Sequence, residues 1–93
     1  MTNYMKPHTL RTWIEIDQKA LRHNVGEFFR FISPGIRLMA VIKSNAYGHG
    51  LVQTAKTLLA IGSFNEGMWF GVDSIVEALR LRRERIANPI LVL

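Results

Sequence analysis

Apolar and polar positions along this 93-residue chain switch between two periods. Around residues 12–17, Trp13 and Ile16 are apolar and Glu15 and Asp17 polar. Only Ile14 breaks a period of two, which predicts a short strand. Asp17 suits a helix N-cap. Ala20, Leu21, Val25, Phe28, Phe29 and Ile32 then recur at helical spacing and predict one apolar stripe. Asn24 and Gly26 weaken that helix, and Ser33-Pro34-Gly35 ends it, since proline neither continues a helix nor favours one in the residue before it. Residues 36–42 predict a second strand. Its run Leu38-Met39-Ala40-Val41-Ile42 does not alternate, so burial on both faces is expected, as in a parallel sheet.

A polar, glycine-punctuated loop is predicted over 44–50. A helix follows over 51–61 with Val52, Ala55, Leu58, Leu59 and Ala60 inward and Gly62 as its C-cap. Residues 68–72 predict a third strand. Asp73 or Ser74 caps a third helix, with Ile75, Val76, Leu79 and Leu81 or Ile86 facing in and the arginines out. After an Asn88-Pro89 turn, Ile90-Leu91-Val92-Leu93 opens a fourth strand. The predicted order is β-α-β-α-β-α-β, which builds either a doubly wound parallel sheet or an (α/β) barrel. Ending on four bulky apolar residues would leave an uncovered edge, so the chain is expected to be the N-terminal piece of a longer one.

Composition narrows the function classes. Nearly half the residues are hydrophobic, which fits a folded domain, and the length allows one small domain at most. There is no cysteine, so disulfides and thiol chemistry are excluded, and a reducing compartment fits. No apolar run has the length of a membrane span, and residues 1–11 have no apolar signal-peptide core and read as a flexible lead-in. The net charge of +5 is concentrated in Arg80, Arg82, Arg83 and Arg85. No aromatic platform accompanies them, so a solvated helix face is expected rather than nucleic-acid binding.

The candidate chemistry lies at Lys43, at the carboxyl end of the second strand. That end is where α/β folds bind ligands, and the following glycines let backbone N–H groups approach an anion. Three roles are open to such a lysine: phosphate partner, general base or Schiff-base nucleophile. It is also open that the side chain simply reaches solvent. Tyr47 suits either an anchoring ring or a donor to a ligand, and His49 suits shaping the turn or capping the helix. A lone histidine gives no metal site, and no G-x-G-x-x-G or P-loop pattern is present.

The run Ala40-Val41-Ile42-Lys43-Ser44-Asn45-Ala46-Tyr47-Gly48-His49-Gly50 closely resembles the cofactor-lysine signature of the alanine racemases, pyridoxal-phosphate enzymes with an α/β barrel. Trp13-Ile14-Glu15-Ile16-Asp17 with Ala20-Leu21 and Asn24 resembles the family's opening. Phe70-Gly71-Val72, residues 77–82 and residues 89–93 resemble its next two units. Ser44, where alanine is common, and a slightly long connection over 63–67 depart from the pattern.

The resemblance implies a parallel (α/β)8 barrel, incomplete here, with residues 12–93 as the first part of the cofactor domain and the C-terminal β domain absent. The opening strand then goes with either the barrel or that β domain. The resemblance makes Lys43 the residue that carries pyridoxal 5'-phosphate as a Schiff base and one of two catalytic bases interconverting L- and D-alanine for peptidoglycan. It makes Tyr47 a donor to the cofactor phosphate, and Val41 and Leu93 walls of the cofactor pocket. The second base would be a tyrosine of a partner subunit in a cytoplasmic homodimer, outside this chain. A racemase for serine, lysine or several amino acids, and a fragment without catalysis, stay open as alternatives.

Overall fold

The computed structural model describes residues 15–33, 35–60 and 67–93. Asp17 opens the first helix as expected: its Oδ1 accepts from the Ala20 N–H at 3.0 Å, satisfying a donor that the first turn leaves free. This helix, α1, spans Gln18–Phe31. Strand β1 is Leu38–Val41, helix α2 is Leu51–Leu59, strand β2 is Met68–Val72, helix α3 is Ile75–Arg83 and strand β3 is Ile90–Val92. Between β1 and α2 lies a compact turn over Lys43–Tyr47.

The three strands form one open parallel sheet in the order β1-β2-β3. Ala40 pairs with Phe70 and Phe70 with Ile90. The ladder continues past the strands: the Ile42 N–H donates to Gly71 O at 2.8 Å and the Leu93 N–H to Val72 O at 2.6 Å. Because side chains alternate along a strand, this register sorts the sheet into two faces. Ile42, Met68, Phe70 and Val72 lie on one face and join Leu51, Ala55, Leu58, Leu81 and Ile86 in a single buried core. Leu21, Val25 and Phe29 of α1 pack against that same core. All three helices therefore cover one face.

Several expectations are corrected. Among the described residues there are three strands, not four: Glu15, Ile16 and Asp17 are not in a strand, while positions 12–14 lie outside the described residues. The described order is thus α-β-α-β-α-β rather than β-α-β-α-β-α-β. Strand β1 is not buried on both faces: Met39 and Val41 are exposed, because no helix of the described residues lies over their side of the sheet. In α1, Phe28 is exposed while Leu21, Val25 and Phe29 make the stripe.

The largest correction is in α3. Ile75, Val76 and Leu79 face outward, Val76 at 71% exposure, and the inward row is Ala78 and Leu81. The reason is the cap. Ser74 Oγ accepts from the Glu77 N–H at 3.1 Å and fixes the helix rotation, with Leu81 rather than Leu79 over the core. Helix α2 ends at Leu59, before the expected Ile61; of the residues expected inside, Ala55 and Leu58 are buried, Val52 and Leu59 half-buried and Ala60 exposed, while Leu51, Thr54 and Thr57 are buried as well.

The end of α3 is tied down by polar groups. Arg82 Nη1 donates to the Ile86 and Asn88 carbonyls at 2.6 and 2.9 Å, and Asn88 Nδ2 donates to Met68 O at 3.1 Å. This staple fixes where β3 starts against β2.

Candidate functional site

Lys43 follows Ile42 directly at the carboxyl end of β1. The strand's uncovered face ends at Val41, and Lys43 follows two residues on, after Ile42 (φ −119°, ψ 26°) has left the extended conformation. That face carries Met39 and Val41 from β1, Trp69 and Gly71 from β2 and Leu91 from β3, with Leu93 just beyond. Gly71 is the low point. A Cβ there would meet Met39 Sδ at 3.2 Å, Leu93 Cδ1 at 3.4 Å and Val41 Cγ2 at 3.5 Å. Val41 and Leu93, far apart in sequence, are thus brought to one small cradle. At the other end of the face the Arg37 guanidinium sits over the Trp69 ring, 5.8 Å from its centroid.

Lys43 is half-buried, and among the described residues its side chain has no hydrogen bond or ion pair. Tyr47 is 63% exposed and its hydroxyl is likewise unpaired among the described residues. No group of three or more metal-ligating side chains occurs among the described residues.

The expected loop after Lys43 has a definite and unusual shape. Ser44, Asn45, Ala46 and Tyr47 have φ of 53°, 57°, 56° and 55°, so one turn of backbone is left-handed. For L-residues this conformation costs roughly 1–2 kcal/mol each, on the order of 4–8 kcal/mol for the turn before compensation, with asparagine at the low end. Such strain persists only where the surroundings over-determine it.

Here they do. The Ala46 side chain is in the core, and its N–H donates to Ile42 O at 2.8 Å. Asn45 O accepts from the Gly48 and Gly50 N–H groups at 3.1 and 2.9 Å. Asn45 Oδ1 accepts from the Leu51 N–H at 2.8 Å and so caps α2. His49 Nδ1 lies 3.1 Å from Ala46 O, which suits the tautomer with its proton on Nδ1. Gly48 and Gly50, at φ of 92° and 96°, supply the conformations that let the chain leave the turn. His49 therefore shapes the turn, as the sequence suggested.

Two acidic residues from beyond β2 close the arrangement. The Asn45 N–H donates to Glu77 Oε2 at 2.8 Å, and Ser44 Oγ donates to Asp73 Oδ2 at 3.4 Å. The sequence reading gave neither residue a part in the site. The signal for Glu77 was present as Ser74-x-x-Glu77, a capping pattern that places a carboxylate at the start of α3.

A parallel sheet with helices on one face defines an α/β protein, and Lys43 lies at the strand end where such folds bind ligands. Comparison with known proteins is specific. Residues 16–93 match the family model "Alanine racemase, N-terminal domain", and the chain belongs to that family. It is 45% identical over 83 residues to the alanine racemase of Synechocystis sp., covering 89% of this chain and 21% of that protein. It is 50% identical over 78 residues to that of Edwardsiella ictaluri, covering 84% and 20%. Among solved structures, the alanine racemase from Bacillus anthracis with bound L-Ala-P superposes with a TM-score of 0.76 at 42% identity, over 87% of this chain and 20% of that one. The enzyme from E. faecalis superposes at 0.74 with 38% identity, covering 84% and 20%. The chain spans about one fifth of the length of the curated relatives it matches.

Proposed function

We propose that this chain supplies the cofactor-carrying lysine of an alanine racemase, and that Lys43 is that residue. The observation that carries the reading is the place of Lys43, directly beyond the carboxyl end of β1, with its amine unpaired among the described residues. The residues fit pyridoxal 5'-phosphate. A primary amine with no competing carboxylate among the described residues can condense with an aldehyde, and Val41 and Leu93, whose side chains meet over Gly71, offer apolar surface for a flat ring to rest on. Tyr47, whose hydroxyl is unpaired among the described residues, is the donor for the phosphate.

When bound, the cofactor supplies an electron sink that lowers the barrier to losing the substrate's Cα proton. The chain's own contribution is the lysine. Its Nζ holds the cofactor between turnovers. The same nitrogen would act as base on one face of the substrate, the D-alanine side, removing the Cα proton of D-alanine in one direction and delivering a proton to form D-alanine in the other.

In this reading the other proton is handled by a tyrosine outside the chain, on a partner subunit of a cytoplasmic homodimer that makes D-alanine for peptidoglycan. The described sheet is then the first part of an (α/β)8 barrel whose interior is the uncovered face. Singly covered strands in sequential order support this over a doubly wound sheet, which needs helices on both sides. The 93 residues alone are expected to have no racemase activity, since they hold one base of two.

Titration of the chain with pyridoxal 5'-phosphate, followed by circular dichroism in the cofactor's absorption band, tests the assignment. A saturable signal that Lys43→Ala abolishes supports it. An undiminished signal in Lys43→Ala would refute it.

A further inference from the structure

We propose that Glu77 is a positioning residue: its carboxylate, reaching from the first turn of α3, latches the left-handed turn and thereby holds Lys43 in its working orientation. Four consecutive left-handed residues do not hold themselves. Most of the bonds in this turn are local. Among the described residues, two link its polar groups to a distant element: Asn45 N–H to Glu77 Oε2 at 2.8 Å, and Ser44 Oγ to Asp73 Oδ2 at 3.4 Å. The first is shorter and fixes backbone rather than side chain. It is a charge-assisted bond to the middle of the strained segment.

Glu77 itself is used in an uncommon way. Ser74 caps α3, and Glu77 stands three residues on, where the usual capping box returns the carboxylate to the cap residue's own N–H. Here Oε2 crosses to Asn45 instead. Its Oε1 is buried with no hydrogen-bond partner among the described residues, an unfavourable situation that a glutamate on a solvated helix face avoids. Local helix capping does not account for this placement, whereas a latch between α3 and the lysine turn does. The orientation of Lys43 then depends on the start of α3, across the carboxyl edge of the sheet.

The part of this inference that concerns reactivity rests on Lys43 being the cofactor lysine; the latch itself does not. The experiment therefore reads both in the same 93-residue chain, as wild type, Glu77→Ala, Glu77→Asp and Glu77→Gln. Amide hydrogen exchange is followed at Asn45 and Ala46 against Phe70 and Val72 in β2. Borohydride-trapped pyridoxal 5'-phosphate on Lys43 is quantified against Lys19 and Lys56 by peptide mapping.

Glu77→Ala is expected to speed exchange at Asn45 about tenfold or more, as for loss of a bond to a charged group, and to lower the Lys43-to-Lys56 trapping ratio by a similar factor. Phe70 is expected to stay within about twofold, since the core is untouched. Glu77→Asp, one methylene too short to reach, behaves like alanine and serves where alanine fails to fold. Glu77→Gln keeps an accepting oxygen and restores most of both readouts.

Unchanged exchange at Asn45 in both Glu77→Ala and Glu77→Asp would overturn the latch, as would equal acceleration at Phe70, the mark of a merely structural role. If Asn45 responds while wild type shows no preference for Lys43, the latch stands and the cofactor assignment fails.

Discussion

Ser44 is exposed and left-handed at φ 53°, and among the described residues its side chain bonds only Asp73, at 3.4 Å. Glycine adopts that conformation without the Cβ penalty but loses more entropy on folding. Ser44→Gly is therefore expected to raise stability by up to about 1 kcal/mol, read as a higher urea midpoint at unchanged slope. A lower midpoint would mean that the turn is not strained at this position. A second residue-scale effect concerns charge. Lys56 Nζ donates to Glu84 Oε1 at 2.8 Å, and this bond, with the attraction of the same ammonium, holds the Glu84 carboxyl below its ordinary value of 4.5. A depressed folded pKa means that the contribution is present above the unfolded value and is lost as pH falls through the folded one. The stability difference between wild type and Glu84→Gln is thus expected to be flat above pH 4.5 and to shrink below it, and high salt is expected to remove it. A difference that grows on acidification would contradict the sign.

At the scale of elements, α3 separates what patterning reveals from what it leaves open. Its apolar residues offer two stripes, one through Ile75, Val76 and Leu79 and one through Ala78 and Leu81. Hydrophobic periodicity weighs the first more heavily, yet the Ser74 cap and the reach of Glu77 to the turn select the second. Leu81 is fully buried and Leu79 half exposed. Leu81→Ala is accordingly expected to cost about 2–4 kcal/mol, and Leu79→Ala less than about 1 kcal/mol, by chemical denaturation. Equal costs would return α3 to the orientation that its pattern suggests. The strands at 68–72 and 90–92, the Asp17 cap and the site of the turn were legible in the sequence, because each has a local signal. The left-handed shape of the turn was not. It is set by the Ala46 methyl entering the core and by a carboxylate from the far side of β2, and no local propensity encodes either. The cradle at Gly71 was hidden for the same reason: Val41 and Leu93 meet there only through strand register.

At the scale of the molecule, one face of the sheet is packed and the other is open. Met39, Val41, Leu91 and Leu93 are all at least 36% exposed and lie together around Gly71. A contiguous apolar face of this kind drives association. The 93-residue chain is expected to self-associate at about 50 µM in sedimentation velocity, where a single monomer boundary would count against it. In the proposed barrel this face is the interior, closed by further strands. The resemblance of the lysine run to the alanine racemases, carried by residues 40–50, was sufficient to find the family; Glu77 and Asp73 emerge only once the chain is folded. The central claim is that Lys43, held by this turn, is the attachment point for pyridoxal 5'-phosphate. The most direct measurement is borohydride reduction of the chain with the cofactor, followed by peptide mapping. The account predicts a single dominant adduct on the peptide containing Lys43, absent from Lys43→Arg. Adducts spread evenly over Lys19, Lys43 and Lys56 would contradict it.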